Sequence, residues 1–199
     1  METIPQGYEG RLWALVLAAG AGSRFGGGKL TADWRGRPLI AAAVEAALAA
    51  PVEGVLVLAR PDDQALRAAL PDDPRLRMVE VAAWAEGMAA SLRVGIAALP
   101  AGCAGAYVFL GDMPRVPSKV LVPLADAVRA GAPAAAPSFD SRLGHPVLFA
   151  ADLFRELAAL TGDRGARTIL AELGPRLARI PASDDGVLFD IDHREDLER

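Results

Sequence analysis

An α/β fold is predicted, with a mostly parallel sheet covered by helices on both faces. Three observations point to it. Apolar runs of strand length alternate with helical segments for most of the 199 residues. The first run breaks into a loop of glycines that also carries Arg24 and Lys29. A later run, ending at Leu110, delivers Asp112 to what would be the carboxyl end of a strand. Open sheets of this class bind their ligands beyond those ends, so the loop and Asp112 can share one crevice.

Hydrophobic residues make up 52% of the chain and aromatic ones 6%, which suits one domain with a sizeable core. Residues 1–10 read as a flexible arm and residues 11–199 as the single domain. The net charge of −4 argues against a general nucleic-acid binder, which carries a basic face. Cys103 is the only cysteine, so an internal disulfide and a thiolate metal cluster within one chain are excluded. A reducing cytoplasm fits. The opening Met1-Glu2-Thr3-Ile4-Pro5 has no signal-peptide character, and no uncharged apolar run reaches membrane-spanning length.

Strands are expected over 11–18, 54–59, 76–81 and 107–110. Arg37-Pro38 reads as a helix start, with proline in the first turn, and Pro51 as its stop. A second helix opens at Pro61 and ends near Leu70. Trp84 to Ser91 is a loop entering a helix that runs to Leu99, and Met88, Leu92, Ile96 and Leu99 form its buried stripe. Pro117 starts another helix, with Val120, Leu121, Leu124 and Val128 on one face. A strand at 132–136, a polar loop at 139–144 and a strand at 145–149 follow. Helices are expected near 151–160 and 164–172, short strands near 176–180 and 187–191, and a charged helix at the C-terminus.

The early loop matches neither of two familiar phosphate loops. The Walker form needs Gly where Ser23 stands and a hydroxyl where Leu30 follows Lys29. The dinucleotide fingerprint needs its third glycine at Phe25. Phosphate would therefore be held in another register, by backbone N–H groups and the two cations. The alternative is a flexible turn that is merely basic.

Other residues carry paired readings. Asp112 at a strand terminus can hold Mg²⁺ against a phosphate, or cap a turn before Pro114. Asp190 and Asp192 bracket Ile191, so an extended backbone puts both on one face and adds them to a metal site. Otherwise they border a solvated turn, with Asp192 as the cap of the last helix. Gly162-Asp163-Arg164-Gly165-Ala166-Arg167 can clasp an anion or place arginines on a helix surface. Ser91 suits a base or ribose contact, or an ordinary early helical serine. A single histidine such as His145 is more often structural than catalytic, and His193 suits the exposed start of a helix. Cys103 falls in a Gly/Ala turn and receives no role.

Taken in order, these stretches resemble the molybdenum cofactor cytidylyltransferases, within the MobA-like nucleotidyltransferases. The resemblance rests on Leu17-Ala18-Ala19-Gly20-Ala21-Gly22-Ser23-Arg24 with Lys29, and on Trp84-Ala85-Glu86-Gly87-Met88 with Ser91. Gly111-Asp112-Met113-Pro114, Gly144-His145-Pro146-Val147-Leu148-Phe149, the 162–167 stretch and Asp190-Ile191-Asp192 continue it. It implies a three-layer Rossmann-like nucleotidyltransferase fold. It implies a nucleotide site of Leu17, Ala18, Ala19, Gly20, Gly22, Ser23, Gly87 and Ser91, with Arg24, Lys29 and Asp112 catalytic. Mg²⁺ would sit on Asp112 and on Asp190 or Asp192, with His145 and Arg167 toward the acceptor.

The implied reaction joins CMP from CTP to the terminal phosphate of molybdopterin, with release of pyrophosphate. A transient contact with a molybdenum enzyme would follow. Ala18-Ala19-Gly20 stands where the guanylyl branch usually reads Ala-Gly-Gly, which favours cytosine. A GTP-using guanylyltransferase, a sugar- or polyol-phosphate nucleotidyltransferase and a non-catalytic cofactor-delivery chaperone are the alternatives. The chain departs from the family pattern at Phe25, Ala89-Ala90 and His193-Arg194.

Overall fold

A computed structural model describes residues 10–162 and 165–199. Most of the expected N-terminal arm, and Asp163 and Arg164 of the second basic stretch, lie outside the described residues. In chain order the strands and helices are β1 (Arg11–Leu17), β2 (Asp33–Trp34), β3 (Arg37–Pro38), α1 (Leu39–Ala49), β4 (Gly54–Ala59), α2 (Gln64–Ala69) and β5 (Leu76–Glu80). Then come α3 (Met88–Ala97), β6 (Cys103–Leu110), α4 (Leu121–Arg129), β7 (Ala134–Phe139), β8 (Arg142–Leu143) and β9 (Val147–Ala150). The last are α5 (Phe154–Ala158), α6 (Arg167–Leu173) and β10 (Leu177–Pro181).

The main sheet runs β10-β7-β9-β6-β1-β4-β5, with β8 paired to β7. β1 pairs in parallel with β4 and β6, and β4 with β5. β9 is the antiparallel member between β6 and β7. Side-chain alternation builds two cores. In β1, Leu12, Ala14 and Val16 face α1 and α4, whereas Leu15 faces the opposite layer with α3, α5 and α6. Strand β4 repeats the pattern, with Val55 and Val57 on the first face and Leu56 and Leu58 on the second. A strand covered on both sides reads as an unbroken apolar run, which is why these strands were visible in the sequence. The result is a three-layer α/β fold with helices on both faces.

Several expectations are corrected. Arg37-Pro38 does not begin the helix. It pairs with Asp33–Trp34 in a small hairpin around Arg35 and Gly36, both with positive φ (56° and 85°). That is the turn a two-residue hairpin prefers, and α1 starts only at Leu39. The stripe expected on α3 is displaced. Met88 is exposed and Ile96 and Leu99 are half-buried, while Ala89, Ala90, Ser91, Leu92 and Gly95 are buried. Gly95 explains this, because a Cβ there would come within 2.9 Å of Leu15 Cδ1, so the helix lies against the sheet on its small residues.

Residues 139–144 are not all loop, since β8 folds back on β7 across Asp140 and Ser141. The strand expected at 187–191 is a 3-10 turn (Asp185–Leu188) followed by chain outside the sheet, and the C-terminal helix is a 3-10 turn over Arg194–Glu198. Cys103 opens β6 rather than sitting in a turn. It is buried, and its thiol is pushed up by burial. Among the described residues no helix is long and apolar enough to cross a membrane.

A third apolar cluster positions the loops. Phe25 from the glycine loop, Trp34, Leu39, Ala42, Phe189 and Ile191 pack together. Phe25 is thus an anchor that ties the early loop to the segment carrying Asp190 and Asp192.

Candidate active site

The glycine loop leaves β1 at Leu17, whose carbonyl accepts from the Gly111 N–H at 3.0 Å. This bond registers the loop against the end of β6, where Asp112 follows. Gly22, Gly26, Gly27 and Gly28 all have positive φ, a region L side chains rarely adopt. The loop closes on itself through Phe25 N–H to the Gly22 carbonyl at 3.1 Å and Gly26 N–H to the Ser23 carbonyl at 3.3 Å. With Phe25 buried beneath, the turn is fixed by packing from below.

The loop's cations meet the distant acids. Lys29 Nζ donates to Asp112 Oδ2 at 2.6 Å and lies 3.5 Å from Asp192 Oδ1. Arg24 Nη1 donates to Asp192 Oδ2 at 2.8 Å. The Ile191 N–H donates to the Asp112 carbonyl at 3.0 Å, which stitches the two acidic segments together. Lys29 is only 12% exposed at its side chain, so this pair is far less screened than a surface one. Asp192 does not cap the last turn. His193 is the exposed N-cap residue, and the Asp192 N–H itself donates to Asp196.

Asp190 has different neighbours. Burial raises its carboxyl above the usual 3.8, and the negative charges of Asp112 and Asp192 add to this, with Lys29 opposing. The three acids therefore sense one another. Among the described residues, however, no three His, Cys, Asp or Glu side chains converge as a metal-binding group. A hard cation such as Mg²⁺ takes one or two carboxylates and completes its shell with phosphate oxygens and water. Asp112 with one of the other two acids fits that smaller donor set.

Two clefts meet at Asp112. One, of about 260 Å³, is lined by Ala18, Gly22, Gly28, Lys29 and Arg60, among others. The other, of about 510 Å³, is lined by Ala19, Trp84, Gly87, Met88 and Ser91. Leu17, Gly20, Ala21 and Asp112 line both. Ser91 is buried at 5% exposure and lines the second cleft. Of the expected nucleotide residues, Ser23 and Arg24 line neither cleft. Ser23 is exposed on the loop, and Arg24 is engaged with Asp192.

A third cleft, of about 740 Å³, contains His145, Arg167 and Asp190 on the far side of Leu110. Burial holds the His145 imidazole below its ordinary value and Arg167 pushes the same way, while the Val108 carbonyl and Asp112 oppose.

Arg60 was not anticipated. It follows β4 directly, at a strand carboxyl end, and that position was the available signal. Its Nε donates to the Ala19 carbonyl at 3.1 Å and its Nη2 to the Gly20 carbonyl. Its guanidinium lies 4.3 Å from the centroid of the Trp84 ring. Arg60 thus clamps the loop between the first two clefts. Arg142 and Arg179, which line the third cleft, were also not anticipated.

Comparison with known proteins agrees with this geometry. Residues 14–178 match the family model described as the MobA-like NTP transferase domain. The crystal structure of Rv0371c from Mycobacterium tuberculosis H37Rv is 28% identical, with a TM-score of 0.83 and with 96% of this chain and 97% of that chain covered. Rv0371c has also been solved in complex with manganese, matching at 25% identity, TM-score 0.76 and coverage of 95% and 97%. A nucleotidyl transferase from Methanothermobacter thermautotroptrophicus is 26% identical, with a TM-score of 0.77 and 95% of each chain covered. No curated protein matched by sequence. Because the match runs from β1 to β10 and the relatives share the fold end to end, the chain belongs to the MobA-like NTP transferase family.

Proposed function

We propose that the protein transfers CMP from CTP to the terminal phosphate of a molybdopterin-type acceptor. The observation that carries this reading is the contact of Lys29 with Asp112 where the two clefts beside the glycine loop meet. An acceptor phosphate oxygen attacks the α-phosphorus, the bond from that phosphorus to the β-phosphate oxygen breaks, and pyrophosphate leaves. The nucleophile is already anionic, so no strong general base is needed. Alignment and charge compensation dominate instead.

In this reading the loop N–H groups and Lys29 hold the triphosphate, and Arg24 joins them on exchanging Asp192 for phosphate. Ala18, Ala19, Gly20, Gly87 and Ser91 surround the base and ribose. His145 and Arg167 face the acceptor. Asp112, with Asp190 or Asp192, would hold a divalent cation, Mg²⁺ in this proposal, whose charge offsets the repulsion between the two phosphates. The manganese complex of Rv0371c supports the use of a divalent metal in this family. The preference for cytosine rests on Ala19 at the position where the guanylyl branch carries glycine. A cytoplasmic location and hand-over of the product to a molybdenum enzyme belong to the same proposal.

The test is pyrophosphate release with molybdopterin as acceptor and CTP, GTP, ATP or UTP as donor, with and without Mg²⁺. Turnover with CTP well above the other three is expected. No release with any of the four sinks the transferase reading, and a preference for GTP sinks the choice of base.

A further inference from the structure

Among the described residues lining the two clefts beside the glycine loop, Trp84 is the one aromatic side chain. The Arg60 guanidinium lies over its ring, 4.3 Å from the centroid. That separation is too short for an approach at the ring's edge, so the guanidinium covers one face. Arg60 lines the first cleft and not the second, whereas Trp84 lines the second and not the first. The stacked pair is therefore a partition between the clefts. It presents a cation to the side of Lys29 and the glycines, and an indole to the side of Gly87 and Ser91.

We propose that Trp84 is the plate on which the nucleobase stacks, held in place by Arg60 behind it. This deepens the proposed function and rests on its placing of base and ribose in the second cleft. The plate is fixed before any ligand arrives. Arg60 is itself anchored on the Ala19 and Gly20 carbonyls. The Trp84 N–H donates to the Val81 carbonyl at 3.2 Å, and the Gly87 N–H donates to the Trp84 carbonyl at 3.2 Å. These bonds close the turn that leads into α3 and Ser91. The ring is half-buried and packs against the core on the α3 side of the sheet. A side chain already held in this way loses little freedom when a ligand stacks on it.

Every base has a π-face, so stacking adds affinity, roughly tenfold or more, without choosing among bases. Trp84 thus binds the ring as a ring, and selection of one base falls to the loop backbone and Ala19 beside it. An inorganic triphosphate carries no ring and gains nothing from the plate.

The test titrates CTP, GTP and inorganic tripolyphosphate, with Mg²⁺, into the wild type, Trp84→Phe and Trp84→Leu, read by calorimetry and by tryptophan fluorescence. Each nucleotide that binds is expected to quench the wild-type emission, and tripolyphosphate to leave it unchanged. The quench should vanish in Trp84→Phe while most of the affinity remains. The other tryptophans do not face the cleft, since Trp34 is 3% exposed and Trp13 lies toward the start of β1, away from the loop. Trp84→Leu should weaken every nucleotide that binds by the same factor, about tenfold, and leave tripolyphosphate affinity as it was. Wild-type nucleotide affinity in Trp84→Leu overturns the proposal, as does a quench that survives in Trp84→Phe. An equal loss of tripolyphosphate affinity also overturns it, because Trp84 would then only support the loop. Nucleotide binding with the expected quench but without pyrophosphate release removes the transferase reading and leaves Trp84 in this role. A wild type that binds no nucleotide removes both.

Discussion

Lys29 Nζ and Asp112 Oδ2 lie 2.6 Å apart although 83 residues separate them in the chain. The ammonium sits where the fold would offer a divalent cation its first carboxylate. In the proposed reaction, nucleotide binding would exchange partners, with Lys29 moving from carboxylate to phosphate as Asp112 is freed. Asp112→Asn should lower pyrophosphate release by about 10²–10³-fold while changing CTP affinity far less, because the lost charge acts mainly on the transition state. Steady-state turnover beside calorimetric CTP affinity checks this. Full turnover in the variant would remove Asp112 from the machinery.

Lys29→Ala should have a split effect. CTP affinity should fall by about tenfold or more as a charge-assisted phosphate contact is lost. Mn²⁺ binding without nucleotide should strengthen, because Asp112 and Asp192 lose the cation that now neutralises them. Electron paramagnetic resonance of free Mn²⁺ reads the second effect. Weaker Mn²⁺ binding would show that Lys29 does not compete for these acids.

Arg60 fixes the loop through the carbonyls of Ala19 and Gly20 and stacks on Trp84. Arg60→Ala should raise the KM for nucleotide about tenfold, roughly 1.4 kcal/mol, the worth of one charge-assisted hydrogen bond. Arg60→Lys should recover little of it, since an ammonium lacks the planar fork. An unchanged KM in both variants would reduce Arg60 to a surface contact.

Phe25 is 3% exposed and packs in the cluster that holds Ile191. Phe25→Ala should cost about 3 kcal/mol in denaturant unfolding, at the low end for a buried phenylalanine. It should also impair turnover, because the same cluster positions Asp192 opposite Arg24. Lost stability with normal turnover would separate the anchor from the site.

His145 supplies a pH effect whose sign follows from its environment. Burial lowers its folded-state value below the ordinary 6.5, so the unfolded chain binds the extra proton first. Its contribution to stability is thus present above 6.5 and is lost as pH falls below it. Melting temperatures from pH 7.5 to 5.5 should fall for the wild type and fall less for His145→Gln. Parallel curves would show that the imidazole charges without cost.

Parts of the site were legible because their signals are local. An unbroken apolar run marks a doubly covered strand, and a glycine loop after it marks a turn that no side chain would tolerate. Lys29 and Asp112 of the candidate site were visible in this way, and the Asp190–Asp192 pair by its spacing, although the strand expected at 187–191 is a 3-10 turn. Arg60 was not, because an arginine after a strand looks like any surface arginine until Trp84 and two carbonyls are brought to it. The stripe on α3 was misplaced for a related reason. Periodicity finds large apolar residues, but here small ones let the helix lie close to the sheet.

The sequence by itself determined the alternation of strands and helices and supplied the glycines, cations and acids of the site, since each depends on chain neighbours. Only the tertiary structure decided which of them meet. Arg24 reaches Asp192 across 168 residues because the parallel strands β6, β1 and β4 bring their carboxyl ends to one edge, where Ile191 N–H is tied to the Asp112 carbonyl. The same packing turned Asp190 toward the third cleft and Asp192 toward the loop cations. Buried Ile191 between them fixes the backbone that carries both, a contact no local pattern encodes.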